Sequence, residues 1–238
     1  MQLRPNVDED TPAARKNLIR YHGMIENLDW NIGRLQRYLT ENDAFKNTLS
    51  IYFSDHGDFM HSHGLACTKN KPQEESCRIP VIFQWSEKLP KQGVVDSLFS
   101  LVDILPTTLG LIDAPIPPHV QGHNYAPTLR GKPQDNPEQI LLEMVGNPRW
   151  NLSLRDWRGL VSNHWKYAFW EDGEEWLFDL KADPYEKNNL AETNPEKRAE
   201  MKQALLLELQ KTREPYFDVI MEYTVPQQKQ DQDVGIAD

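Results

Sequence analysis

Between Leu18 and Leu39 the apolar positions Leu18, Tyr21, Ile25, Leu28, Ile32, Leu35 and Leu39 recur at alternating spacings of three and four. That is the period of an amphipathic helix. Thr11-Pro12 supplies an N-cap followed by proline at the first helical position, so the pattern predicts a helix from residue 12 to near Asn42. The next apolar run, Thr48-Leu49-Ser50-Ile51-Tyr52-Phe53, is rich in β-branched and aromatic residues and reads as a buried strand. Ile79-Pro80-Val81-Ile82-Phe83 reads as a second strand. Leu98 to Ile112 is helical in pattern, with Pro106 expected to kink it or to start its second half. To about residue 132 the chain therefore reads as α/β, a sheet covered by helices.

The pattern changes at Gly131-Lys132-Pro133-Gln134-Asp135-Asn136-Pro137, a turn-rich linker. Short strands are expected at Gln139–Val145, Trp157–Ser162, Lys166–Trp170 and Glu175–Leu180, with Asp172-Gly173 as a hairpin turn. A helix from Pro195 to about Lys211, capped by Asn194, closes a smaller antiparallel α+β subdomain. The expected organisation is an α/β part over 1–132, the antiparallel subdomain over 133–225 and a disordered Gln/Asp-rich tail over 226–238.

Chemistry concentrates where the first strand ends, at Ser54-Asp55-His56-Gly57-Asp58-Phe59-Met60-His61. Open α/β sheets place ligand sites at the C-terminal ends of their strands. Adjacent Asp55 and His56 offer a hard oxygen and an imidazole nitrogen, Gly57 is expected to permit a sharp turn, and His61 and His63 follow closely. Asp-His-Gly at a strand end is also a common turn in which Asp caps backbone amides. Downstream, Lys69, Lys71 and Arg78 stand in the loop that returns to the second strand. A lysine beside a cation site suits an anionic sulfate or phosphate ester, whereas an isolated loop lysine is ordinarily solvated. Arg78 beside Glu74 and Glu75 suggests a structural ion pair.

Composition narrows the partners. The 238 residues are 39% hydrophobic and 26% charged, enough for a packed core. The formal net charge of −10 argues against nonspecific nucleic-acid binding. No stretch approaches the roughly 20 apolar residues of a membrane span, and the N-terminal residues have no signal-peptide pattern. Two cysteines, Cys67 and Cys77, are expected to be unpaired, inert thiols.

The run Ser54-Asp55-His56-Gly57-Asp58 through His63-Gly64, Lys69, Glu74-Glu75-Ser76 and Arg78-Ile79-Pro80 resembles a block of the sulfatases, in the alkaline phosphatase superfamily. The helix bearing Tyr21, Met24-Ile25, Leu28-Asp29 and Gly33-Arg34-Leu35 resembles the helix before that block. Gln121-Gly122-His123-Asn124 to Leu129-Arg130-Gly131, then Trp176 to Leu180 and Asp183 to Leu190, resemble later sulfatase segments. The resemblance spans about residues 4–220. It implies that Asp55 and His56 bind a single divalent cation, calcium, that Lys69 contacts the substrate sulfate, and that His63 lies near the substrate. It implies no firm role for His61, an exposed loop position for His123, and a structural role for Asp183–Leu190.

The same resemblance makes certain residues conspicuous by absence. A sulfatase of this kind takes its formylglycine nucleophile from Cys or Ser in a Cys/Ser-x-Pro/Ala-x-Arg context, and neither Cys67 nor Cys77 stands in one. The early Asp-Asp ligands and the further pocket lysine and histidines have no counterpart. The expectation is a C-terminal half of a sulfatase, whose parent hydrolyses sulfate esters of sugars or glycans in a periplasmic, secreted or lysosomal setting. Two ligands fall short of the about 6–8 oxygens calcium takes, so the chain alone is expected to bind metal weakly and to lack catalysis without an N-terminal partner half. A phosphatase or phosphodiesterase of the same superfamily is the alternative within hydrolases; two zinc ions there would draw on His61 and His63. A noncatalytic fragment serving in assembly is the alternative outside them. Trp150, Trp157, Trp165 and Trp170 suggest packing in the small sheet more than a sugar-binding surface.

Overall fold

A computed structural model describes residues 2–90, 93–146 and 155–224. Helix α1 (Pro12–Glu41) starts where the sequence signals it: Thr11 Oγ1 accepts from the Ala14 amide at 3.1 Å, and Pro12 occupies the first turn. It ends at Asn42, after which Asp43 turns the chain with a left-handed φ of 54°. Strand β1 (Ser50–Phe53) follows. A long loop containing the short helix α2 (Glu74–Cys77) returns to β2 (Val81–Gln84). β1 and β2 pair antiparallel, with Ser50 opposite Gln84 and Phe53 opposite Val81. A 3-10 turn at Leu101–Asp103 leads into α3 (Ile104–Leu111), and α4 (Ala126–Leu129) comes next. Pro106 is the third residue of α3, in a first turn whose amides lack intrahelical acceptors, so it starts the helix without breaking it.

The chain divides into two compact units, one running to Ile140 and taking in Asp183–Lys187, the other formed by Leu141–Ala182 and the chain from Asn188. In the first unit Trp85, Leu111 and Ala126 form a small core, with Leu49, Phe83, Leu89 and Leu129 packed against it. Tyr125 is buried beside Asp103, and both effects push its phenol up to about 12. The apolar stripe of α1 is not covered by the described residues: Ile25, Leu28 and Leu35 are 47%, 45% and 58% exposed. Phe53 of β1 and Ile82 of β2 are exposed as well.

The second unit holds a four-stranded sheet in the order β3-β4-β5-β6: β3 (Gln139–Met144), β4 (Trp157–Ser162), β5 (Trp165–Trp170) and β6 (Glu175–Asp179). β4, β5 and β6 pair antiparallel in sequence, and Gly173 turns the last hairpin with φ +86°. Leu160, Tyr167, Phe169 and Leu177 from the sheet pack with Met201, Leu205 and Leu209 of α5 (Pro195–Thr212). Asn194 caps α5 through the Lys197 amide. After Arg213 closes α5 in the left-handed region, α6 (Tyr216–Thr224) adds Ile220 to that core. Trp157 and Trp170 are buried against each other, and Trp165 stacks on His164. Trp150 and the tail expected to be disordered lie outside the described residues. No helix among the described residues is long and apolar enough to cross a membrane.

Candidate functional site

β1 delivers its polar residues at the start of the long loop, and hydrogen bonds fix them there. Ser54 Oγ donates to the His56 carbonyl at 2.7 Å, and the His56 amide donates to Asp55 Oδ1 at 3.0 Å. His56 Nδ1 lies 2.7 Å from the Gly57 carbonyl. A carbonyl only accepts, so Nδ1 carries the proton, and in the neutral ring Nε2 presents its lone pair. That lone pair faces Asp55 Oδ2 at 3.4 Å. A proton or a cation between two such electron-pair donors would relieve their repulsion.

The carboxyl of Asp55 is exposed. Its slight desolvation, which would raise it, is outweighed by amide hydrogen bonds from His56 and from its own N–H, by the charge of His56 when its ring is protonated and by that of Lys69; it is held below the ordinary carboxylate range. Lys69 is exposed, and its main chain is anchored because Ser76 Oγ donates to the Lys69 carbonyl. Asp55, His56 and Lys69 thus share one electrostatic neighbourhood.

Gly57 is required for a reason other than the sharp turn expected. Its φ is not in the left-handed region, but a Cβ there would lie 2.0 Å from the Glu75 carbonyl oxygen. The Gly57 amide donates to the Ser76 carbonyl at 2.8 Å, so the loop and α2 touch backbone to backbone.

His63 enters a different network. Its Nε2 lies 3.0 Å from Asn6 Nδ2 and 3.5 Å from Glu75 Oε2, and Asn6 Nδ2 donates to Glu75 Oε1 at 2.6 Å. The Glu75 side chain is 5% exposed; burial alone would raise its carboxyl, but hydrogen bonds from His63 and Asn6 lower it to about 2. Asn6 also donates to the Tyr185 carbonyl, and the Glu74 amide donates to Glu186 at 2.6 Å, so Asp183–Lys187 braces the start of α2. Asn6 and Glu75 were not legible as partners of His63, since 57 residues separate Asn6 from it. Arg78 pairs with Glu74 across one turn at 3.8 Å, as its sequence neighbours suggest. His123 is half-buried rather than exposed: its ring meets Tyr125 edge-on and Gln134 bonds it. Neither cysteine is in a disulfide. Among the described residues no group of three or more His, Cys, Asp or Glu side chains is placed to hold a metal.

Comparison with known proteins gives this arrangement its family. The family profile for N-sulphoglucosamine sulphohydrolase, C-terminal, matches residues 63–215, and the sulfatase profile matches residues 4–114. The chain belongs to the sulfatase family. A sulfatase relative, the endo-4-O-sulfatase of Bacteroides thetaiotaomicron, is 31% identical over 79% of this chain and 40% of its own length. The arylsulfatase K of Gallus gallus is 31% identical over 74% of this chain and 34% of its own length. Among solved structures, a Bacteroides thetaiotaomicron protein studied for the metabolism of multiple glycosaminoglycans superimposes with a TM-score of 0.79 at 30% identity, over 94% of this chain and 49% of that one. A protein in complex with its substrate D-glucosamine-2-N,6-O-disulfate gives 0.75 at 26% identity, over 82% and 40%. The phosphonate monoester hydrolase of Agrobacterium radiobacter, at 23% identity and a TM-score of 0.71, shares the fold. This sulfatase chain spans less than half the length of the relatives it matches.

Proposed function

We propose that these residues carry the cation- and sulfate-binding groups of a sulfatase that hydrolyses sulfate esters of sugars or glycans. The nucleophile and remaining ligands would come from sequence corresponding to the part of the relatives that this chain does not cover. The observation that carries the reading is the convergence of Asp55 Oδ2 and His56 Nε2, 3.4 Å apart, with the other imidazole nitrogen committed to Gly57. That separation fits two ligands of one cation at bond lengths of about 2.4 Å, and the carboxylate suits a hard ion such as calcium. Asp55 and His56 would hold the cation, which neutralises charge on the sulfate oxygens when bound. Lys69, whose ammonium already acts on Asp55, would meet a sulfate oxygen. His63, tied to Glu75 and Asn6, would border the substrate while fixing the loop. The uncovered stripe of α1 supports a further partner, the N-terminal sulfatase half, as does the share of the relatives left unmatched.

A phosphatase with two zinc ions would use His61 and His63, but His63 Nε2 is engaged by Asn6 and by the buried Glu75, which favours the sulfatase reading. The purified 238-residue chain, supplied with calcium and a chromogenic aryl sulfate, is expected to show no turnover. Measurable hydrolysis would sink the assignment of the nucleophile to another segment.

A further inference from the structure

Beyond Asp55 and His56 the loop folds back on itself. The Phe59 amide donates to the Thr68 carbonyl at 3.0 Å, a cross-loop bond that sets Met60 against Cys67. Cys67 Sγ lies 3.9 Å from Met60 Sδ. His61, the next residue, turns towards α1, where Asn17 Nδ2 sits 3.0 Å from its Nε2 and 3.7 Å from Cys67 Sγ. An amide NH2 only donates, so His61 Nε2 is the nitrogen bearing the lone pair. The Cys67 thiol and the His61 imidazole lone pair therefore meet at the amide nitrogen of Asn17, and the Met60 thioether lies beside the thiol. None of the three takes part in the Asp55–His56 pair or in the network around Glu75.

We propose that Met60, His61 and Cys67 form a binding site for a soft monovalent cation, copper(I) by chemistry. Thiolate and thioether sulfur select that ion over hard cations, and imidazole is a suitable third ligand. At metal–sulfur bonds of about 2.3 Å, the length found for thiolates on a d10 ion, sulfurs 3.9 Å apart subtend about 116° at the metal. That is the opening of a three-coordinate site. On binding, the Cys67 thiol releases its proton to solvent, and the Asn17 amide gives up its two contacts; no electron is transferred. Cys67 is exposed, so the ion has a route in. The groups of three His, Cys, Asp or Glu side chains that a harder ion would want are lacking among the described residues, and here the Met60 thioether supplies the third donor.

The test is an oxygen-free titration of the whole 238-residue chain with copper(I) in competition with a chromogenic chelator such as bicinchoninate. One copper(I) per chain is expected. Cys67→Ser should weaken binding about a hundredfold, and Met60→Leu and His61→Gly about tenfold each, while Cys77→Ser leaves it unchanged. Glycine is chosen at position 61 because His61 has a φ of 74°, which glycine adopts without strain. Thermal unfolding of each variant, matched to the parent, separates lost binding from lost fold. Undiminished binding by Cys67→Ser would overturn the proposal. So would Met60→Leu and His61→Gly both binding as the parent does, because a lone thiol would then account for the copper.

Discussion

Glu75 holds the loop behind the candidate site, and its chemistry is set by what surrounds it. Asn6 and His63 bond its carboxylate in a nearly closed environment, and Arg4 stands 3.6 Å away. Because the folded carboxyl titrates near about 2 against an ordinary 4.5, the ionised form stabilises the fold above about pH 4.5. That contribution is lost as the pH falls from 4.5 towards 2. Denaturant titrations across this window should show the parent losing about 2 kcal/mol to this group, and Glu75→Gln should show a flatter profile; identical profiles would contradict the network. Gly57 gives a second residue-scale prediction. Gly57→Ala sets a methyl 2.0 Å from the Glu75 carbonyl and should cost about 3 kcal/mol, read as a lower denaturant midpoint at unchanged slope. A loss under about 0.5 kcal/mol would mean the two backbones part easily. At this scale the sequence singled out Asp55, His56 and Lys69 as candidates because strand-end position and residue type are local signals. It concealed Asn6, Asn17 and Tyr185, whose contacts are made across long stretches of chain and leave no periodic trace.

Elements were the most legible level. The cap at Thr11, the three-four spacing through Leu39 and the cap at Asn194 all rest on neighbouring residues, and α1 and α5 begin where those signals lie. Three helices escaped. α2 and α4 are each one turn, too short for any period, and α6 follows a left-handed Arg213 and Pro215, which together read as an ending. The pairing of β1 directly with β2 also lies outside what a hydrophobic run can specify, since either strand direction satisfies the same pattern. α5 is held by packing on the sheet: Leu205 is fully buried between β4–β5 residues and α6. Leu205→Ala should cost about 3 kcal/mol, visible in thermal unfolding; a cost near zero would mean the helix is secured by its caps alone.

For the whole molecule, the sulfatase assignment explains features that are otherwise odd for a free-standing chain. α1 carries an apolar stripe with no covering partner among the described residues, and the relatives continue for more than half their length beyond the matched part. The proposed ligands Asp55 and His56 would by themselves be too few for a tight calcium site. The account's central claim is that this pair is the cation-binding element of that larger site, and weak binding can be tested directly. Manganese(II), a hard paramagnetic ion, broadens NMR signals near wherever it dwells even at low occupancy. Substoichiometric manganese(II) added to the labelled chain should broaden the amides of Asp55, His56 and Gly57 first, and Asp55→Asn should remove that broadening. Broadening centred elsewhere, or unchanged in Asp55→Asn, would contradict the account.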